Sequence, residues 1–435
     1  MRSARDVVFS RMIALRCRML VVSPLQQTSG RRWLLRCGAV LVAGYASLAH
    51  AAVASLAPVV TVATSGKSAE TSSIVVSDEP AQLDLINVAA LDAIVQQVPQ
   101  APAVTPPQWL TQHKPSSSAA KTATPAKIAP FVGVAILMQG DRMLWRYGYH
   151  PDMALSGQQQ FLSGSIAKQM TATLVLQAQQ QGLLQLEQPV ARYLPQPQRA
   201  RYGNITILQL LQHTSGIEKP GAVPGASFAY SNQGYQLLGE MLGYIYAEPF
   251  SQQLNRLLKR CQMADSFAPD ADHPVTAASQ LVPALNWQQG QWQPVLPDAL
   301  PLSLVPAGLV VTSAQDLLRW QQCLHQTELL PSALHLRMVT PGPQRPHRWG
   351  SVDAPIFYGM GVQIQQHGGL QEWSHGGFLP GYAVTLLYYP RPELSNGERQ
   401  DLQLVIWQPY TGEPADLGQT LWVHDALRQA LRAQL

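Results

Sequence analysis

The chain has 435 residues, of which 46% are apolar and only 13% charged. That length allows about two to three domains, and the apolar share suffices for a sizeable core beneath a largely uncharged polar surface. The formal net charge of +4 does not point to nucleic acid: residues 1–51 hold eight Arg and one Asp, so the leader is +7 and the remainder −3, with no basic stripe carrying interleaved aromatics.

Arg31, Arg32 and Arg36 precede an apolar stretch over 39–48, and Ala49-His50-Ala51 follows as a small-x-small cleavage site. Residues 1–51 therefore read as a secretory signal peptide. The stretch is too short to span a bilayer, so no stable transmembrane segment is expected after leader removal. Arg31-Arg32-Trp33-Leu34-Leu35 also resembles a twin-arginine signal; the general secretory route is preferred. The expectation is an exported protein, periplasmic ahead of secreted. Cys17 and Cys37 leave with the leader. Cys261 and Cys323 remain and are read as two buried thiols rather than a bridge.

Residues 52–129 read as a low-complexity segment and linker with one helix over 83–98, where Leu83, Ile86, Ala90, Ile94 and Val98 share a face. From 130 to 435 the texture is that of a folded domain. Apolar runs over 131–138 and 143–149 flank Gly140 and predict a hairpin. Ile166, Met170, Leu174 and Ala178 recur every four residues and predict a helix opening at Ser165, with Gly182 at its C-terminal cap. Further helices are expected at 206–212, 234–246, 250–260 and 314–324. Strands follow at 358–365, 372–374, 383–389 and 402–407, then a last helix over 416–433. Strands at both ends and helices between them predict an α+β fold: an antiparallel sheet flanked by helices, with an all-helical region inserted at about 170–340.

Three short motifs carry the chemistry, and each has a decoy. Ser165-Ile166-Ala167-Lys168 places a hydroxyl and an amine at i and i+3, one face of a helix. A serine is a weak nucleophile until a nearby base takes its proton. The plainer reading is a capping serine followed by a surface lysine. Ser118-Ala119-Ala120-Lys121 has the same spacing, but it lies in the linker, where nothing holds it rigid. Tyr230-Ser231-Asn232 offers a phenol that a cation such as Lys168 could turn into a base, and an amide to orient a substrate carbonyl. Tyr202-Gly203-Asn204 is its decoy, a turn leading into a helix. His375-Gly376-Gly377 offers a strand edge narrow enough for a substrate, with the backbone amide of Phe378 completing an oxyanion hole with that of Ser165. His367-Gly368-Gly369 reads instead as a hairpin turn.

The order of these motifs resembles the serine β-lactamase and penicillin-binding superfamily, and within it the class C-like branch. The likeness runs from Phe131 to the end. It extends to Phe161-Leu162-Ser163-Gly164-Ser165, to Leu210-Leu211-Gln212-His213-Thr214-Ser215-Gly216, to Pro224-Gly225 ahead of Tyr230, and to Pro306-Ala307-Gly308-Leu309. The resemblance implies a β-lactamase/transpeptidase-like fold. It also implies acylation of Ser165 by an amide, ester or lactam carbonyl, followed by hydrolysis, with Lys168 and Tyr230 handling protons. Asn232, His375 and Gly377 would bind substrate. No cofactor or metal is implied. The expected substrate is a small molecule or peptide, peptidoglycan-derived fragments included. His375 stands where class C β-lactamases carry Lys, which favours peptidase or esterase activity over β-lactam hydrolysis. If His375 faces the acyl pocket, it should titrate near neutrality. The competing reading is a catalytically silent protein of this fold that binds wall fragments or a partner.

Overall fold

The computed structural model describes residues 86–96 and 131–435, apart from 220, 289–290, 296–299, 327–328, 347–353, 392–396 and 411–420. The expected signal peptide, the expected linker over 99–129 and the Ser118 motif lie outside the described residues.

An eight-stranded antiparallel sheet runs in the order β2-β1-β12-β11-β10-β9-β8-β7. Its members are β1 (Gly133–Gln139), β2 (Arg142–Tyr149), β7 (Gln344–Arg345), β8 (Ile356–Tyr358), β9 (Gln363–His367), β10 (Leu370–Leu379), β11 (Tyr382–Tyr389) and β12 (Leu402–Gln408). The first strand lies beside the last, with Val134 opposite Trp407 and Leu137 opposite Leu404. Because successive side chains alternate faces, β1 serves two cores at once. Val134 and Ile136 face the large helical region, while Ala135 and Leu137 face a smaller cluster. That second cluster is closed by helix α1 (Val88–Gln96), through Leu91 and Val95, and by the C-terminal helix (Trp422–Arg432), through Val423, Leu427 and Leu431. Burial on both faces explains why β1 and β12 are mostly apolar, with Gln139, Gln403 and Gln408 as the exceptions.

The helical region enters through β3 (Gln160–Leu162) and leaves through β6 (Val311–Ser313), which pair with each other. Between them lie α2 (Ala167–Gln180), α3 (Gln198–Tyr202), α4 (Ile207–Leu211), α5 (Asn232–Tyr246), α6 (Phe250–Arg260) and a hairpin of β4 (Ala284–Gln288) and β5 (Gln291–Val295). Beyond β6 come α7 (Ala314–Gln326) and α8 (Ser332–Met338); the C-terminal helix is α9. The α+β architecture expected from the sequence is therefore present, but the inserted region is not all-helical, since it carries the β4–β5 hairpin and β6. Among the described residues, no helix is long and apolar enough to cross a membrane.

Three further expectations need correction. The run over 358–365 is two strands, because Gly361 takes φ +77° and the Gly359 amide bonds the Val362 carbonyl across a tight turn. The strand expected at 372–374 extends over ten residues, Leu370–Leu379, and takes in Gly376 and Gly377. Cys261 and Cys323 form a disulfide, with Cα atoms 5.4 Å apart. Their 62-residue separation gave no cue, since only the packing of α6 brings its C-terminus to α7. A crosslink over a loop of that size typically contributes about 2–4 kcal/mol.

Candidate active site

The nucleophile segment is held by close backbone contact. After β3 the chain makes a 3-10 turn over Gly164–Ile166, and α2 begins at Ala167 rather than at Ser165. Gly164 takes φ +52°, and a Cβ there would lie 2.2 Å from the Phe378 amide nitrogen. A Cβ on Gly377 would lie 2.0 Å from the Ser163 carbonyl oxygen. Glycine at both positions lets the nucleophile turn sit directly against β10. Gly377, expected as a substrate contact, thus has a packing role.

Lys168 is fully buried. Its three N–H donors have three acceptors in reach: Ser165 Oγ at 3.0 Å, Asn232 Oδ1 at 2.8 Å and the Ala307 carbonyl at 2.5 Å. The Tyr230 hydroxyl lies 2.7 Å from Ser165 Oγ, and Lys168 Nζ is 5.0 Å from the Tyr230 ring centroid. Ser165, Lys168, Tyr230 and Asn232 therefore converge, although 67 residues separate the first from the last in sequence. A proton leaving Ser165 has two bonded neighbours to receive it, and the neutral amine or the phenolate could each act as base.

Local chemistry explains how Tyr230 and Asn232 reach that place. Ser231 is the N-cap of α5, with φ −140°, and its hydroxyl accepts from the Gly234 amide at 2.9 Å. The cap turns the chain between its two neighbours. The Ser231 amide in turn donates to His213 Nδ1 at 3.2 Å. His213 follows α4 with φ +58° and lies wholly buried among the Tyr230, Tyr235 and Tyr358 rings. Burial first, then the charges of Lys168, His375 and Arg345, hold its pKa well below the usual value, so a neutral imidazole accepts that bond. The sequence marked the segment around His213 without showing this role.

The third motif lies on β10, where β9 pairs only with 370–374. Residues 375–379 therefore offer a strand edge that β9 leaves uncovered, beside the nucleophile turn. The Phe378 amide nitrogen packs directly against Gly164, the residue before Ser165. His375 is in the expected strand. It is 1% exposed. Its Nδ1 lies 2.8 Å from the Gly376 carbonyl and its Nε2 lies 2.9 Å from the Tyr358 hydroxyl. A carbonyl only accepts, so Nδ1 carries a proton. Tyr358 also bonds Tyr235, whose own proton goes to the Leu211 carbonyl at 2.8 Å. Burial, the leading cause, holds both phenols well above their ordinary pKa. The single Tyr358 proton thus serves either Tyr235 or His375. His375 is one member of an enclosed hydrogen-bond chain in the wall of the cleft.

Tyr230, His375, Gly376, Gly377 and Phe378 line one cleft with Gln363, Thr385, Arg345, Asp425 and Arg428. The last three were missed in the sequence, because no motif surrounds them. Arg428 bonds Glu372, Gln365 at 2.8 Å and Ser374 at 3.1 Å. Among the described residues, no three His, Cys, Asp or Glu side chains group to hold a metal ion.

The candidate site is thus an antiparallel sheet edge beside a serine on a helix-opening turn, with that serine bonded to a buried lysine and to a tyrosine, in a β-lactamase-like fold. The chain belongs to the Beta-lactamase family, whose model matches residues 123–396. It is 30% identical over 152 residues to a Beta-lactamase of Providencia stuartii, covering 30% of this chain and 40% of that one. It is 25% identical over 193 residues to the D-alanyl-D-alanine-carboxypeptidase/endopeptidase AmpH of Escherichia coli (strain K12), covering 36% and 47%. The chain spans between 40% and 57% of the length of the curated relatives it first matches. A D-amino acid amidase from Ochrobactrum anthropi SV3 shares the fold, with a TM-score of 0.53, 19% identity, and coverage of 69% of this chain and 94% of that one.

Proposed function

We propose that the protein is an exported serine hydrolase in which Ser165 forms an acyl-enzyme with a peptide amide or ester, with β-lactam hydrolysis a minor activity. The observation that carries this reading is the convergence of Lys168 and Tyr230 on Ser165 Oγ, at 3.0 and 2.7 Å. A protein that only binds ligand has no need of a buried lysine directed at a serine hydroxyl. Lys168 and Tyr230 move the protons, Asn232 orients Lys168 and the substrate carbonyl, and the Ser165 and Phe378 amides receive the oxyanion. The preference over β-lactams rests on His375, which offers no fixed cation at the place where a rigid bicyclic carboxylate would dock. AmpH and the D-amino acid amidase carry names in keeping with amide hydrolysis.

The test is covalent labelling. A fluorophosphonate probe is expected to modify Ser165, identified by peptide mass mapping, and a short-chain nitrophenyl ester should be turned over more efficiently than nitrocefin. An unlabelled, inactive protein would favour the silent binding protein instead. Export is tested separately: N-terminal sequencing of the mature protein should find a start at or near Ala52, whereas a start before Arg31 would show that the leader was misread.

A further inference from the structure

Tyr230 sits in the short segment between Gly225 and α5, and His213 holds that segment on both sides of it. The His213 carbonyl accepts from the Ala229 amide at 2.6 Å, and its Nδ1 accepts from the Ser231 amide at 3.2 Å. Between those bonds the His213 ring lies against the Tyr230 ring, with centroids 4.2 Å apart. The Thr214 carbonyl extends the grip by accepting from the Gly225 amide at 2.7 Å. His213 itself is fully buried and is absent from the residues that line the cleft, so it does not reach a substrate.

Packing alone does not account for an imidazole at this place. Because Nδ1 accepts, the proton of the neutral ring sits on Nε2. Nε2 is buried, and no described residue bonds it. A buried N–H without an acceptor is costly. A phenylalanine would fill the same space among Tyr230, Tyr235 and Tyr358 without that cost. What the imidazole adds is the acceptor it presents to Ser231. His213 also has φ +58°, in the left-handed region that few side chains adopt. From that conformation its carbonyl and its side chain both face the Tyr230 segment.

We propose that His213 is the positioning residue for Tyr230: by holding the Ala229 and Ser231 amides and backing the phenol ring, it keeps the Tyr230 hydroxyl on Ser165 Oγ. This rests on the proposed hydrolase reading and goes beyond it, giving a role in acylation to a residue that touches neither substrate nor nucleophile. The hydroxyl stands at the far end of a rigid ring, so a small turn of the backbone at Tyr230 displaces it. A displacement of about 1 Å in a reacting group can cost about a hundredfold in rate.

The experiment compares His213→Gly and His213→Asn in the full chain, each also combined with Tyr230→Phe. Glycine and asparagine both accept the left-handed backbone, and only asparagine carries an oxygen to accept from the Ser231 amide. The readouts are kcat and KM for a nitrophenyl ester, the rate of fluorophosphonate labelling, and urea unfolding. His213→Gly is expected to lower kcat and labelling by about a hundredfold, with KM changed by less than about threefold. His213→Asn should recover at least about tenfold of that loss. In the Tyr230→Phe background the phenolic hydroxyl is already gone. There His213→Gly should lower the residual turnover by less than about threefold, because residues acting as a unit are not additive. A residue that only supported the fold would cost the same factor in both backgrounds. The proposal is overturned if folded His213→Gly keeps turnover within about threefold of wild type, if its loss is undiminished in Tyr230→Phe, or if asparagine recovers nothing. Should His213→Gly not fold, His213→Gln takes its place under the same criteria, since its amide lies one bond too far out to meet the Ser231 amide. A wild-type protein that neither turns over the ester nor takes the probe would reject the hydrolase reading itself.

Discussion

Ser165→Ala is expected to lower ester turnover by about 10³-fold or more and to abolish probe labelling, whereas Ser118→Ala leaves both unchanged. In the proposed mechanism the Ser165 hydroxyl oxygen is the atom that becomes acylated. Lys168→Ala should cost a similar factor, because the lysine amine is bonded to that hydroxyl at 3.0 Å and to Asn232 at 2.8 Å. Removing it also leaves the Ala307 carbonyl without its bond. Residues that act as a unit are not additive, so Ser165→Ala/Lys168→Ala should be little worse than either single change. Steady-state kinetics with a nitrophenyl ester would decide the matter. Full turnover in Ser165→Ala would remove the assignment, and a large loss in Ser118→Ala would move it to the other Ser-x-x-Lys.

The second large effect is on stability. Glu372 is 1% exposed and accepts bonds from Arg428, from Arg432 at 2.7 Å and from the Tyr389 hydroxyl at 2.8 Å. Burial pushes its carboxyl up, but the two guanidiniums outweigh burial and hold it at about 2. Glu372→Gln keeps the shape and deletes the charge, leaving two largely buried cations without their shared anion. A loss of about 3–5 kcal/mol is expected at pH 7. The pH dependence has a definite sign. A carboxyl whose folded pKa is depressed stabilises the fold above its usual 4.5 and loses that contribution as pH falls toward about 2. Asp425, raised by burial to about 6, works the other way. The folded protein binds its proton more tightly, so its contribution declines as pH rises from the usual 3.8 to about 6 and is level above that. The wild-type protein should therefore lose stability below about pH 4.5 through Glu372, and the gap to Glu372→Gln should narrow there. Urea unfolding at pH 7 and pH 3 measures both gaps. A difference below about 1 kcal/mol at pH 7 would show that the cluster does not support the fold.

Much of the site was legible before any coordinates. Ser165 and Lys168 are three residues apart, a separation whose geometry a helix imposes, so local periodicity was enough to pair them and to set aside Ser118. Tyr230 and Asn232 flank a capping serine, again a local pattern. The sheet built from both ends followed from apolar runs at each end of the domain. What sequence could not supply was anything created by distant segments meeting. Ala307 reaches Lys168 across 139 residues and Tyr358 reaches His375 across 17. Arg345 belongs to a two-residue edge strand too short to leave a periodic signal. The surroundings of His375 turned on the same point: its burial and its bonds to Tyr358 and the Gly376 carbonyl arise from segments meeting in the fold. The Cys261–Cys323 bridge likewise depends on α6 meeting α7. Sequence by itself indicated the class of fold and offered Ser165 and Lys168 as a pair, because apolar periodicity and the three-residue spacing are short-range and the order of the motifs resembles one family. Tertiary structure decided the disulfide, the bonding of His375 and the charge lining the cleft, because each depends on which remote residues exclude water together.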